Sequence, residues 1–428
     1  MLLLATPAWQ TAAPTCLLAA VFYREGLQEA TQDWTEEETR TDLLTPRAEH
    51  LAALGVRRWH AAGYRGQGVK IAVLDSGFRG YHEFLGRGLP DRILGRSWRE
   101  DRDLEARNSL HGVLCAEILH ALAPQAELLF CNWEQDRPDQ FLQAVRWARA
   151  QGASVLTCSL IMPSWSDGEG GGIVHERLAR LLRSKGGRDQ ALFFASAGNT
   201  AQRHWSGRYR DDSSGPHQWR PGRCDNELMP WGNALVSVEA CWRSGASYRI
   251  SIIDQAAGQE VDYELHDSNG RSCALARFLP QRGHIYSVRL HLIRGQPGFF
   301  HLVALGARLQ YSNPRGSIPF PADGAAAIAV GAVSHDGRHL PYSSCGPEPH
   351  SPKPDLVAPV PFASLCRAQP FTGTSAAAPQ AAALAALVWC KHPDWSAAQV
   401  RQALFTSARD LGPPGPDCET GFGMIALP

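Results

Sequence analysis

Residues 376–391 consist mainly of alanine and leucine and have the length of a buried helix. Gly373, Thr374 and Ser375 lead into this run, so we expect Ser375 at the helix N-terminus. The first N–H groups of a helix lack helical partners and carry partial positive charge, so they can stabilise an oxyanion beside a serine. Pro379 fits best in the first turn, where its missing N–H costs least. The alternative is an ordinary N-cap serine before a core helix.

An aspartate follows a second informative stretch. Residues 69–74 form a short, continuous apolar run, which is typical of a buried parallel strand. Asp75 stands at its carboxyl end, the edge at which open α/β sheets gather their functional groups. Asp75 could instead be a simple turn former, because Asp-Ser-Gly is common turn chemistry.

Two further polar residues occupy comparable positions. His111 opens a predicted helix over residues 111–119, and Asn199 follows a predicted strand over residues 191–197. A single histidine is more often structural than catalytic. The elements around His111 are what favour a catalytic interpretation. Residues 111–119 are followed by an apolar strand over residues 128–131, which repeats the strand–helix alternation of an α/β fold.

Four motifs together resemble those of the subtilisin-like (subtilase) serine peptidases. They are VLDSG around Asp75, HG at His111, SAGN ending at Asn199, and GTSAAAP around Ser375, in the order Asp, His, Asn, Ser. The resemblance implies a serine endopeptidase that acts through an acyl-enzyme intermediate. Ser375 would be the nucleophile, His111 the general base, Asp75 the group that orients it, and Asn199 an oxyanion donor.

The resemblance also implies where a polypeptide substrate would bind. Two strand ends would contact its backbone, and their residues are Ser159, Leu160, Ile161, Ser196, Ala197 and Gly198. Ile161 stands where the family usually has glycine, so we expect it to narrow the cleft. Val113 replaces a usual hydroxyl residue, and Val360 replaces a usual glycine.

These departures motivate a second reading. The chain could be a catalytically weak relative that binds peptides or proteins, and a third reading is an adhesion module. A fluorophosphonate probe, which requires an activated serine, separates the enzyme from both.

The pattern changes in the middle of the chain. Between residues 205 and 309, short alternating strands and turn signals replace strand–helix alternation, which indicates an all-β sandwich. It resembles jelly-roll-like domains of large bacterial subtilases. The predicted fold is therefore a doubly wound, mainly parallel α/β sheet interrupted by a β-sandwich. We expect an N-terminal extension (1–49), a catalytic domain in two parts (50–204 and 312–428) and an insertion (205–311) that takes no part in the chemical step.

The composition excludes one class of binding partner. The 428 residues carry 42 basic and 42 acidic side chains, so there is no basic field for nucleic acid. The 11 cysteines lack the spacing of a disulfide framework or zinc site, and no loop has the carboxylate pattern of a calcium site. We therefore predict no cofactor and no metal.

The apolar stretches 2–4 and 16–22 make a poor signal peptide, and no stretch predicts a membrane span. The family resemblance favours an extracellular or cell-envelope location.

Overall fold

The computed structural model describes residues 36–106, 109–183, 190–212, 215–243, 245–261, 264–265, 272–347 and 353–428, with the backbone alone for 36–44 and 264–265. The helices are α1 (Glu36–Ala53), α2 (Val56–Ala61), α3 (His111–Leu122), α4 (Pro138–Ala150), α5 (Ile173–Leu182), α6 (Thr374–Lys391) and α7 (Ala397–Ser407). The strands are β1 (Lys70–Asp75), β2 (Leu94–Ser97), β3 (Glu127–Asn132), β4 (Val155–Cys158), β5 (Leu192–Ser196), β6 (His204–Arg208), β7 (Asn226–Pro230), β8 (Val236–Trp242), β9 (Ala246–Asp254), β10 (Gln259–Glu260), β11 (Glu264–Leu265), β12 (Cys273–Phe278), β13 (Tyr286–Gly295), β14 (Phe299–Leu305), β15 (Ala307–Leu309), β16 (Ile328–Val333) and β17 (Leu356–Pro359).

A seven-stranded sheet forms the centre of the α/β part. Its order is β17-β16-β5-β4-β1-β3-β2, and every described pairing is parallel. From β1 the chain goes to the edge strand β2 and returns to β3 beside β1. It then crosses to β4, on the other side of β1, and proceeds outward through β5, β16 and β17. The carboxyl ends of these strands share one edge, and the order reverses beside β1, which is where such sheets place their sites.

Helices cover both faces of this sheet. Ile71 and Val73 point into the core shared with α3 and α6, whereas Ala72 and Leu74 point into the core shared with α4 and α5. This alternation follows from the period of two along a strand, and it explains why β1 reads as continuously apolar. The predicted doubly wound α/β class is confirmed.

Helix α6 lies in the first of these cores and is buried along most of its length. The predicted helix is therefore present, with Gly373 at its N-cap at a positive φ of 86°, which favours glycine. The prediction that Pro379 lies in the first turn is wrong, because α6 begins at Thr374 and Pro379 belongs to the second turn. There the proline cannot donate to the carbonyl of Ser375, four residues earlier.

Between β5 and β16 the chain forms two antiparallel five-stranded sheets, ordered β10-β9-β13-β7-β15 and β11-β12-β8-β14-β6. Both sheets contribute to one apolar core, for example Val238 and Phe300 from one and Ile250 and Leu290 from the other. We call residues 204–309 the inserted β unit. The alternating runs 234–242, 248–253, 285–293 and 299–305 predict strands, and they correspond to β8, β9, β13 and β14. The sequence also predicts a turn at 267–270, which lies outside the described residues. The predicted domain boundaries stay a prediction.

The N-terminal part differs from its sequence interpretation. Residues 31–47 read as a solvated connector, but α1 begins at Glu36 and runs through the predicted boundary at residue 49. Polar contacts near its end hold it: Arg47 donates to Glu117 at 2.8 Å, and buried His50 lies 2.8 Å from the Gln380 side-chain oxygen. Polar pairs hold the end of this helix, so the sequence needs no apolar stripe there. Without such a stripe, hydrophobic periodicity does not predict the helix. The apolar stretches 2–4 and 16–22 lie outside the described residues.

Among the described residues, no helix combines the length and apolar character that a membrane span requires.

Candidate active site

Asp75 and His111 form a close pair at the carboxyl edge of the sheet. Asp75 ends β1 and is fully buried, and His111 begins α3. His111 Nδ1 lies 2.9 Å from Asp75 Oδ1 and 2.8 Å from Oδ2. A carboxylate can only accept, so Nδ1 is assigned as the donor of this bond, and Nε2 is the ring nitrogen on the side away from Asp75.

Close backbone packing fixes the position of His111. Gly112 donates its N–H to the Gly77 carbonyl at 3.1 Å, and an added Cβ would lie 2.5 Å from the Phe78 ring. A glycine is therefore required directly after the histidine. Val113, which lacks the hydroxyl usual in the family, is completely buried in the core.

Ser375 is the second residue of α6 and is tied to the end of β4. Its hydroxyl donates to the Ser159 carbonyl oxygen at 3.2 Å, and the Ser159 hydroxyl donates to the Ser375 carbonyl oxygen at 3.1 Å. The Cys115 thiol approaches the same Ser375 oxygen at 3.6 Å. The Ser159 and Cys115 side chains thus donate to the carbonyl oxygen that would accept the N–H of residue 379 in a regular helix. Because Pro379 has no N–H, this oxygen is available to Ser159.

Asn199 follows β5 and faces the start of α6. Its Oδ1 accepts from the Thr374 backbone N–H and from the Thr374 hydroxyl, both at 3.0 Å. Because a backbone N–H can only donate, these contacts identify the oxygen, and Nδ2 is the remaining donor group. An added Cβ on Gly373 would lie 3.0 Å from that Nδ2, so glycine keeps the space open.

A cavity of about 90 Å³ brings the candidate residues together. Its lining residues are Ser76, His111, Ser159, Leu160, Ile161, Ser196, Gly198, Asn199, Arg203, Trp231, Leu305, Gly306, Thr374 and Ser375. Asp75 lies behind His111. Ala197 is the one predicted substrate contact outside this lining, since it is completely buried and its N–H donates to the Val330 carbonyl at 2.9 Å.

Sequence reasoning missed several lining residues. Thr374 was within the quoted motif, and its position directly before Ser375 could have indicated a role. No motif in the sequence points to the remaining four. Arg203 lies between β5 and β6, and the inserted β unit contributes Trp231, Leu305 and Gly306.

Cys115 also adjoins the Asp–His pair. Asp75, His111 and Cys115 each offer one potential metal-ligand atom, all within 4.8 Å of one another. Burial is the main cause that raises the pKa of the Cys115 thiol well above its ordinary value, with the Asp75 charge adding to it. Asp75 and His111 use their facing atoms for their mutual hydrogen bond, and the Cys115 thiol faces the Ser375 carbonyl oxygen.

The parallel sheet with Asp75, His111, Asn199 and Ser375 at one edge places the chain among subtilisin-like α/β proteins. The chain belongs to the subtilase family (Peptidase_S8), whose model matches residues 66–220 and 246–423.

Among curated proteins, subtilisin E of Bacillus subtilis (strain 168) is 36% identical over 107 residues, covering 24% of this chain and 26% of that protein. Subtilisin DY of Bacillus licheniformis is 34% identical over 111 residues, covering 26% and 40%. The matched stretch thus spans well under half of these relatives.

Solved structures support the fold over a larger span. The CspB protease of Clostridium perfringens has a TM-score of 0.63 at 15% identity, covering 88% of this chain and 95% of that one. A lanthipeptide protease has a TM-score of 0.52 at 16% identity, covering 92% and 96%. At these identities the likeness concerns the fold alone.

Proposed function

We propose that this protein is a serine endopeptidase that hydrolyses peptide bonds through an Asp75–His111–Ser375 triad and an acyl-enzyme intermediate. The observation that carries the proposal is the bond of His111 Nδ1 to both Asp75 oxygens, at 2.9 and 2.8 Å, with His111, Ser375 and Asn199 lining one cavity. This pair leaves Nε2 as the base on the ring of His111.

In the proposed reaction, Ser375 Oγ attacks the substrate carbonyl carbon while its proton passes to His111 Nε2. In the described conformation the hydroxyl donates to Ser159, so it must turn toward His111 for this step. The C–O bond forms, and the carbonyl electron pair moves to the oxygen. Buried Asp75 stabilises the imidazolium that results.

Asn199 Nδ2 and the backbone N–H of Ser375 would bind this oxyanion. Ser375 lies in the first turn of α6, where N–H groups have no helical partner and the helix dipole favours negative charge. Collapse of the intermediate breaks the C–N bond, and His111 returns the proton to the leaving amine. Water then attacks the acyl carbonyl carbon while His111 Nε2 takes its proton. The bond from this carbon to Ser375 Oγ breaks, the carboxylic acid product leaves, and His111 returns the proton to Ser375 Oγ.

The cavity dimensions suggest a class of substrate. At about 90 Å³, the cavity lies well below the roughly 300–1,000 Å³ of typical ligand pockets. Ile161 and Leu305 contribute branched apolar side chains to its lining. We propose that the substrate lies along Ser159–Ile161 and along Ser196 and Gly198, and that the side chain entering the cavity is small.

The test is hydrolysis of peptides with glycine, alanine or serine at each side of the scissile bond. The wild-type chain should cleave such peptides, and Ser375→Ala should lose about 10⁴-fold or more in rate while remaining folded. This magnitude comes in part from subtilisin, another member of the family. Near-wild-type hydrolysis by Ser375→Ala would contradict the proposal.

A further inference from the structure

The inserted β unit reaches the catalytic cavity. Trp231, Leu305 and Gly306 all line it. The Trp231 N–H donates to the Gly306 carbonyl at 2.9 Å, so the turn after β7 and the end of β14 form one continuous wall. These contacts bring the inserted β unit to the cavity. The expectation that this unit takes no part in the chemical step stays a prediction, and the proposal below departs from it.

Arg203 connects this wall to the α/β part. It lies between β5 and β6 and is only 8% exposed. Its guanidinium carbon lies 4.6 Å from the centre of the Trp231 ring, within the range of a cation–π contact. Its backbone carbonyl accepts from the Ala304 N–H at 2.9 Å. Both ends of Arg203 are therefore held by the inserted β unit.

The same guanidinium also holds the candidate oxyanion donor. Arg203 Nε donates to the Asn199 carbonyl oxygen at 3.0 Å, and Nη2 donates to the same oxygen. The planar guanidinium fixes the direction of these two bonds. Thr374 holds the other end of Asn199 through Oδ1. The backbone of Asn199 is thus fixed from the inserted side, and its side chain is fixed from α6.

We propose that Trp231 and Arg203 are positioning residues through which the inserted β unit holds Asn199 in place for oxyanion stabilisation. This inference rests on the proposed peptidase function. Trp231 keeps the guanidinium in one orientation, and the guanidinium keeps the Asn199 backbone in one orientation. If either contact is lost, Nδ2 shifts relative to the oxyanion, and a displacement of about 1 Å can cost on the order of 10²-fold in rate.

The experiment compares Trp231→Leu with Trp231→Phe. Leucine keeps apolar packing but has no π face, whereas phenylalanine keeps a face for the guanidinium. With a small alanyl ester as substrate, Trp231→Leu should lower kcat about 10–100-fold and change KM less than about threefold. Trp231→Phe should recover most of the loss. Circular dichroism and a thermal melt establish that each variant folds.

A double-mutant cycle with Asn199→Ala separates positioning from general damage. Asn199→Ala alone should lower kcat by roughly 10²–10³-fold, the magnitude known for an oxyanion donor of subtilisin. In that background Trp231→Leu should have little further effect, because the group it positions is gone. Independent, multiplicative losses would overturn the proposal, as would a pure rise in KM, which would make Trp231 a substrate contact.

Tyr311→Leu is the matched control. The guanidinium carbon of Arg220, in the inserted β unit, lies 4.7 Å from the ring centre of Tyr311, which directly follows that unit. Neither residue lines the cavity. Tyr311→Leu should leave kcat unchanged. If wild type itself fails to turn over the ester, the proposed function fails. If wild type is active and Trp231→Leu equals it, the positioning role alone is wrong.

Discussion

Ser375 and Ser159 are joined by two reciprocal hydrogen bonds, each hydroxyl donating to the other residue's carbonyl oxygen, at 3.2 and 3.1 Å. The second bond exists because Pro379 leaves the Ser375 carbonyl without its helical donor. The start of α6 is consequently fastened to β4, and the candidate nucleophile is held at the edge of the sheet.

This relationship predicts that Ser159→Ala destabilises the fold and that Pro379→Ala compensates. Ser159→Ala removes this bond and leaves the half-buried Ser375 carbonyl with the weaker Cys115 thiol partner, at a cost of about 0.5–1.5 kcal/mol. Pro379→Ala restores an N–H that can donate to Ser375. Urea unfolding of both single variants and the double variant measures this. Strictly additive effects would show that the proline and Ser159 are independent.

The size of the cavity predicts a change of specificity in Ile161→Gly. Removing this branched side chain should open space beside Ser375 and let bulkier substrate side chains enter. Leu305 restricts the cavity from the inserted β unit, so Leu305→Ala should also let bulkier substrate side chains enter. Peptide-library profiling compares the variants with wild type. Identical preferences in all three proteins would remove the idea that these residues restrict the cleft.

The contact between α1 and α6 predicts a pH dependence. Burial, as the main cause, lowers the pKa of His50 to about 4, against the hydrogen bond with Gln380 and with a smaller contribution from the charge of His335. Gln380 Nε2 donates to the Pro359 and Ala376 carbonyls, so its oxygen accepts from neutral His50.

Since the unfolded chain binds this proton more readily, the His50 contribution is complete above pH 6.5 and is lost as pH falls toward about 4. The loss is at most about 3 kcal/mol. His50→Gln can still donate to Gln380 but cannot titrate. The free energy of unfolding should therefore fall less between pH 7 and pH 4.5 in His50→Gln than in wild type. Equal slopes would contradict this assignment.

The parts of the fold that sequence predicts well are those with local signals. The runs around β1 and α6 are apolar because they are buried on both faces or along the whole helix, and Asp75 and Ser375 follow from their ends. Helix α1 was missed because its anchors, Arg47 and His50, are polar and their partners lie far along the chain.

The wall of the cavity was missed for a related reason. Arg203 and Trp231 meet only through tertiary structure, and neither belongs to a periodic pattern. The position of Pro379 was misjudged because local propensity favours the first turn. In the structure, Ser159 and Cys115 take over the carbonyl that the proline leaves, and no local rule anticipates partners so distant in sequence.

The proposed function requires Ser375 to be an activated nucleophile. The most direct measurement is reaction with a fluorophosphonate probe, in which the serine oxygen bonds to phosphorus and fluoride leaves, followed by mass spectrometry of the digested protein. We expect one adduct on the peptide containing Ser375, its loss in Ser375→Ala, and strong reduction in His111→Ala. A folded wild-type chain that remains unlabelled, or is labelled elsewhere, would contradict it.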